Sequence, residues 1–263
     1  MTQEIQIGLP TVLGMGLASL TGVLLPVVLW FIWHRRTRAA WMPLLVGVLG
    51  YLVIGTTRGL ARAILLTPMR DTPWAFYLWQ AVLAGVFEEG GRYLMFRFVM
   101  PNRDRYPDAA SYGIGHGGLE HIIVNSRNGL FFGFVVGLIY HFQGMEGLLA
   151  AGMDAEGLPE LLQDIADHSL LGSVLLMLEN IASLLLQCSL SVLVFTAVHH
   201  DRRPRWCLAA FLLHVIADII PAFHFAGALT ETELQVLSLL FAAGTVYLTY
   251  RVRTHYQPET NFA

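Results

Sequence analysis

The chain has 263 residues, 55% of them hydrophobic and only 13% charged, about half the charge content of an ordinary soluble domain. Sixteen basic residues oppose nineteen acidic ones for a formal charge of −3, and every basic residue is arginine. Without lysine there is no Schiff-base chemistry, no lysine general base, no Walker-type phosphate loop and no retinal attachment; the two cysteines, Cys188 and Cys207, lack the spacing of a metal site or a disulfide framework.

Apolar runs long enough to cross a bilayer, roughly 17–25 residues, occur in chain order near Leu9–Trp33, Trp41–Thr57, Trp74–Met100, Tyr112–Tyr140, Ser173–Val198, Trp206–Phe225 and Leu234–Tyr250. The first has no basic segment before it and is too long for a cleavable signal core. The fourth is interrupted by Ser126-Arg127-Asn128. The sequence therefore predicts an all-α, polytopic membrane helix bundle of about seven transmembrane helices. It reads as one transmembrane domain, 1–263, with chemistry-bearing helices within about 74–225 and an acidic external loop at 142–172. Arg35, Arg36 and Arg38, then Arg97, Arg103 and Arg105, then Arg202, Arg203 and Arg205, then Arg251 and Arg253 follow alternate spans. The positive-inside rule places these groups in the cytoplasm, with the N-terminus outside and the C-terminus inside. Arg58, Arg62 and Arg70 dissent, and are read as an external loop lying on the headgroups. The parity requires residues 112–140 to cross once overall.

Ionisable groups at membrane depth are costly and mark function by default. The third run contains Glu88-Glu89-Gly90-Gly91-Arg92, in which one arginine reaches either acid at helical spacing. A packing ion pair needs one acid, not two; two neighbouring carboxylates can tune each other for acid–base work. The fourth run opens Tyr112-Gly113-Ile114-Gly115-His116-Gly117-Gly118-Leu119-Glu120-His121, with His116 and Glu120 on one helix face. Its glycines fit close helix packing rather than a nucleotide fingerprint. The sixth run carries His214 and Asp218, again four apart; alone, such a pair is equally a packing hydrogen bond. Depth gives it weight. At about 1.5 Å per residue, Glu89 lies roughly 12 Å, His214 roughly 14 Å and Glu120 roughly 15 Å from the cytoplasmic ends of their helices. Glu88, His116 and Asp218 fall in the same slab. His199 and His200, beside arginines, are read as solvated.

Acids and histidines at one membrane level suit hydrolysis of a peptide bond: a glutamate takes a proton from water, a histidine positions that water or protonates the leaving amine, and a second histidine serves the oxyanion. The chain has no HExxH pair, no Gly-x-Ser-x-Gly turn and no Gly-x-Gly-Asp. The series Glu88-Glu89-x-x-Arg92, Tyr112-x-x-x-His116, His214-x-x-x-Asp218 resembles the three motifs of the CAAX-protease-like (CPBP/Abi) glutamic intramembrane peptidases. The Gly-His-Gly-Gly-x-Glu element is most like the bacterial YhfC family. The resemblance implies that Glu88 activates water, that His116 orients it, that Glu89 and Arg92 support the site and that His214 with Asp218 stabilises the oxyanion. Glu120 would be a branch-specific helper. The arginine falls three residues after the second glutamate where the wider family has four, and Asp218 replaces the commoner asparagine.

The expected function is an intramembrane endopeptidase acting on a membrane-embedded or membrane-adjacent peptide in a bacterial cytoplasmic membrane. No cofactor is expected on the glutamate reading. Zinc held by Glu88, His116 and His214 is the alternative, since carboxylate and imidazole are zinc ligands. A proton-coupled transporter is the reading from a different class, although the chain has no internal repeat of the transporter kind. A non-catalytic scaffold is a third. The expected partners are a peptide or membrane-protein substrate and the lipid bilayer, not nucleic acid.

Overall fold

The computed structural model describes residues 5–69, 71–127 and 129–256. The described chain is helical throughout: α1 (Leu9–Thr37), α2 (Trp41–Leu65), α3 (Pro73–Leu94), α4 (Tyr106–Arg127), α5 (Leu130–Ala150), α6 (Leu158–Asp167), α7 (Leu170–Phe195), α8 (Arg205–Phe225) and α9 (Glu231–Tyr256). Short π-helical turns, Met95–Val99 and Thr196–His200, end α3 and α7. Among the described residues, five helices are long and apolar enough to cross a membrane, namely α1, α2, α7 with its π turn, α8 and α9. The other two expected crossings fall on α3, which carries Glu88, Glu89 and Arg92, and on the run divided between α4 and α5. Buried polar residues set α3 apart, whereas the second run is divided into two helices and α5 is kinked at Gly144, where φ is 65°. Arg70 and Asn128 lie outside the described residues.

Local signals mark the helix boundaries. Pro73 opens α3, where its missing N–H costs nothing. Gly129 precedes α5 at φ 74°, a left-handed conformation that glycine adopts without steric cost. Thr230 and Glu233 form a capping box at α9: the Thr230 N–H donates to Glu233 Oε2 at 2.8 Å and the Glu233 N–H to Thr230 Oγ1 at 3.3 Å.

The chain divides into two compact units. In the first, residues 1–25 and 121–180, the start of α1 runs antiparallel to α5: Val12 lies against Gly137 and Met15 against Gly133. The expected acidic loop contains α6, whose Leu158, Leu162 and Ile165 are buried with Val12, Met15 and Val136. The stretch 142–172 is thus not a bare loop: α5 extends to Ala150, and the amphipathic α6 covers Leu158–Asp167.

The second unit, residues 26–120 and 181–263, holds every expected site residue. At one end a core of Phe96, Tyr106, Tyr112, Phe195, Ala210 and Val252 joins the end of α3, the start of α4, the end of α7, the start of α8 and the end of α9. Trp33 Nε1 donates to the Pro107 carbonyl at 3.1 Å and Arg105 Nη2 to the Thr37 carbonyl at 3.1 Å, which brings the end of α1 to the same level. The four arginine groups therefore share one end of this unit. Two expectations are corrected here. Arg58 and Arg62 are not in a loop, because α2 continues to Leu65 and carries both. His199 and His200 are partly buried instead of solvated: His200 stacks on Tyr106 with centroids 4.7 Å apart, and His199 lies 4.5 Å from the Phe195 ring.

Candidate functional site

Helix α3 turns Glu88, Glu89 and Arg92 into the second unit, where Glu88 and Arg92 are wholly buried. Helix α4 brings His116 against them because its neighbours are glycines. A Cβ at Gly115 would stand 2.1 Å from the Leu44 carbonyl oxygen of α2, and one at Gly47 of α2 would stand 2.2 Å from the Tyr112 carbonyl oxygen. Only glycine on both sides permits that backbone approach. On the α7 side, Gly113 faces the Cys188 Cα and Gly117 faces Gln187. His116 is itself fully buried between the rings of Tyr51 and Tyr112.

The polar groups interlock. His116 Nε2 donates to Glu88 Oε2 at 3.1 Å, and Arg92 Nη2 lies 3.5 Å from the same oxygen. The other Glu88 oxygen accepts from Arg58. Arg92 also donates to Glu89 and to Gln187, and Gln187 donates in turn to Glu120. His214 Nδ1 donates to Glu89 Oε1 at 2.6 Å, leaving Nε2 facing Glu88 Oε2 and Asp218 Oδ2, each at 3.8 Å. All seven residues expected from the sequence are thus brought into one cluster. Glu88, His116 and Glu120 each present one ligand-capable atom within 4.8 Å of the others.

Two members escaped the sequence reading. Arg58 was legible as one of three arginines that broke the orientation pattern, and its partner is the buried Glu88 carboxylate. Gln187 was legible only as an amide in the apolar run of α7.

A cavity of about 240 Å³ adjoins the cluster, lined by Arg58, Arg62, Gln80, Glu120, Asp218 and Pro221 among others. Its lining follows α2, α3 and α8 toward the end of the unit opposite the arginine groups. Asp218 reaches it with 41% of its side chain exposed, in contrast to the closed Glu88. Through this cavity the cluster opens on the side away from the arginine groups.

By residue type the cluster is rich in acids: Glu88, Glu89, Glu120 and Asp218 outnumber Arg58 and Arg92, and Glu120 and Asp218 open to the cavity. The donor chemistry, carboxylate oxygen and imidazole nitrogen, suits zinc, and His116 Nδ1 is buried without a hydrogen-bond partner among the described residues. The residues fit a divalent cation.

The family model for the YhfC intramembrane metalloprotease matches residues 21–239, a stretch that includes the whole cluster. The uncharacterized membrane protein YhfC of Bacillus subtilis (strain 168) is 30% identical over 190 residues, covering 70% of this chain and 71% of that protein. No solved structure matches. A helical membrane chain whose matched region carries a buried carboxylate–histidine cluster belongs to the YhfC intramembrane metalloprotease family.

Proposed function

We propose that this chain hydrolyses a peptide bond of a membrane-embedded or membrane-adjacent substrate, and that Glu88, His116 and Glu120 hold a divalent metal, zinc by the chemistry of its donors. The convergence of one ligand-capable atom each from Glu88, His116 and Glu120 within 4.8 Å carries this reading, together with the family to which the chain belongs. The metal displaces the expectation of no cofactor. It also differs from the expected zinc set in one ligand, Glu120 in place of His214. Zinc supplies Lewis acidity, which polarises a carbonyl and makes water more acidic.

The protein groups divide the remaining work. Glu89, fixed by Arg92, accepts the Nδ1–H of His214 and so sets its tautomer, leaving Nε2 as the basic atom facing Glu88 and Asp218. His214 takes the proton of the attacking water and returns it to the leaving amine, a role worth about 10²–10⁴-fold in rate. Asp218, in the cavity wall, meets the substrate and stabilises the imidazolium that forms when His214 Nε2 takes the proton. Gln187 fixes Glu120 and Arg92 relative to one another.

Arg58 supports a second reading. Its guanidinium already offsets Glu88, and Glu88 can then activate water without a metal, with His116 orienting it.

The test is cleavage of a transmembrane peptide by the purified chain in proteoliposomes, with Glu88→Gln and His116→Ala as comparisons. Wild-type cleavage that falls at least about a hundredfold in both folded variants supports hydrolysis at this cluster. Equal cleavage by the folded variants, or ion flux with no cleavage at all, overturns it.

A further inference from the structure

A second cavity lies at the arginine-rich end of the second unit, apart from the buried cluster. It measures about 460 Å³ and is lined by Tyr93, Arg97, Pro101, His199 and Arg202 among others, with no acidic residue in its wall. Both π turns build it: Arg97 comes from Met95–Val99 and His199 from Thr196–His200. Such turns occur frequently at functional sites. Arg202 follows at φ 55°, a left-handed backbone that non-glycine residues adopt at a cost and that clusters at ligand sites. The other arginines of this end include several that are paired: Arg103 with Asp108, Arg205 with Asp201 and Tyr256, and Arg105 with the Thr37 carbonyl. Asp104 is the acid whose field reaches His199, but it does not line the cavity. Beside Arg97, Leu94, Phe98 and Val99 are exposed apolar side chains.

We propose that this cavity binds a phosphate group through Arg97 and Arg202, with His199 and Tyr93 as further hydrogen-bonding groups. Two guanidiniums present the forked donors that fit phosphate oxygens. Basic pockets between membrane helices take anionic headgroups, and the apolar flank at Leu94, Phe98 and Val99 suits an acyl chain attached to that phosphate. The proposal is independent of the peptidase reading, because none of these residues belongs to the cluster around Glu88.

Native mass spectrometry of the full chain, released from detergent with phosphatidylglycerol or phosphatidylcholine, tests it; a parallel arm follows inorganic phosphate by phosphorus NMR. Retention of phosphatidylglycerol over phosphatidylcholine is expected, falling about fivefold in Arg97→Gln and about 25-fold in Arg97→Gln/Arg202→Gly. Arg202→Gly suits the local backbone, so it carries the test alone should Arg97→Gln unfold. Arg35→Gln/Arg36→Gln, at the same end but outside the cavity, is expected to retain the lipid. Broadening of the inorganic phosphate signal that needs Arg97 and Arg202, without lipid retention, supports the same site with the free ion as its source. Equal loss in the Arg35/Arg36 variant, or no dependence on Arg97 and Arg202 in either arm, overturns the proposal.

Discussion

Glu88 divides its carboxylate between partners of different kinds: one oxygen accepts from Arg58 while the other faces His116, Arg92 and His214. Glu89 is engaged differently, holding Arg92 and His214 through one oxygen. Removing one side of a buried ion pair costs about 3–5 kcal/mol, because the remaining charge stays uncompensated. Glu89→Gln is therefore expected to lower the thermal unfolding midpoint of the detergent-purified chain sharply. Asp218→Asn, at a position open to the cavity, is expected to lower the midpoint less than Glu89→Gln does while still reducing cleavage. Similar midpoints for both variants would show that Glu89 is not the structural anchor of His214 and Arg92. Residue types and helical spacing were enough to select Glu88, Glu89, Arg92, His116, Glu120, His214 and Asp218. They were not enough for Arg58 and Gln187, whose partners lie 30 and 67 or more residues away and share no helix with them.

At the scale of the helices, the glycine run of α4 was legible as a packing device, but not which helix it would meet. The answer is α2 on one side and α7 on the other, and the partner of Gly115 is itself close to a glycine, Gly47. Gly115→Ala is expected to push α2 from α4, costing about 1–3 kcal/mol as an overpacked contact does and drawing His116 away from Glu88. Gly90→Ala, whose added Cβ would meet nothing within 4 Å, is expected to leave the unfolding midpoint and cleavage intact. Parallel midpoints and cleavage rates for the two variants would contradict close α2–α4 packing as the device that seats His116. The end of α2 was misread for a related reason. Hydropathy falls at Arg58, so the run looked finished at Thr57, whereas the helix continues because the guanidinium finds Glu88.

For the whole molecule, apolar runs predicted most of the helices, and the arginine groups predicted a common end that the second unit displays. The proposed orientation follows, with that end cytoplasmic. Glu156→Cys, in the exposed turn before α6, is expected to react with a membrane-impermeant maleimide in intact cells, and Arg253→Cys only after lysis. The reverse pattern would invert the orientation. What hydropathy could not supply was the identity of the cation, because spacing alone serves a glutamate and a metal site equally well. The convergence of Glu88, His116 and Glu120 in the folded cluster favours the metal, and the rate of peptide cleavage by metal-stripped protein measures that preference most directly. The account predicts that stripping abolishes cleavage, that zinc restores it in wild type, and that zinc fails to restore it in folded Glu120→Gln. A full rate after stripping, with no metal left in the protein, would contradict it.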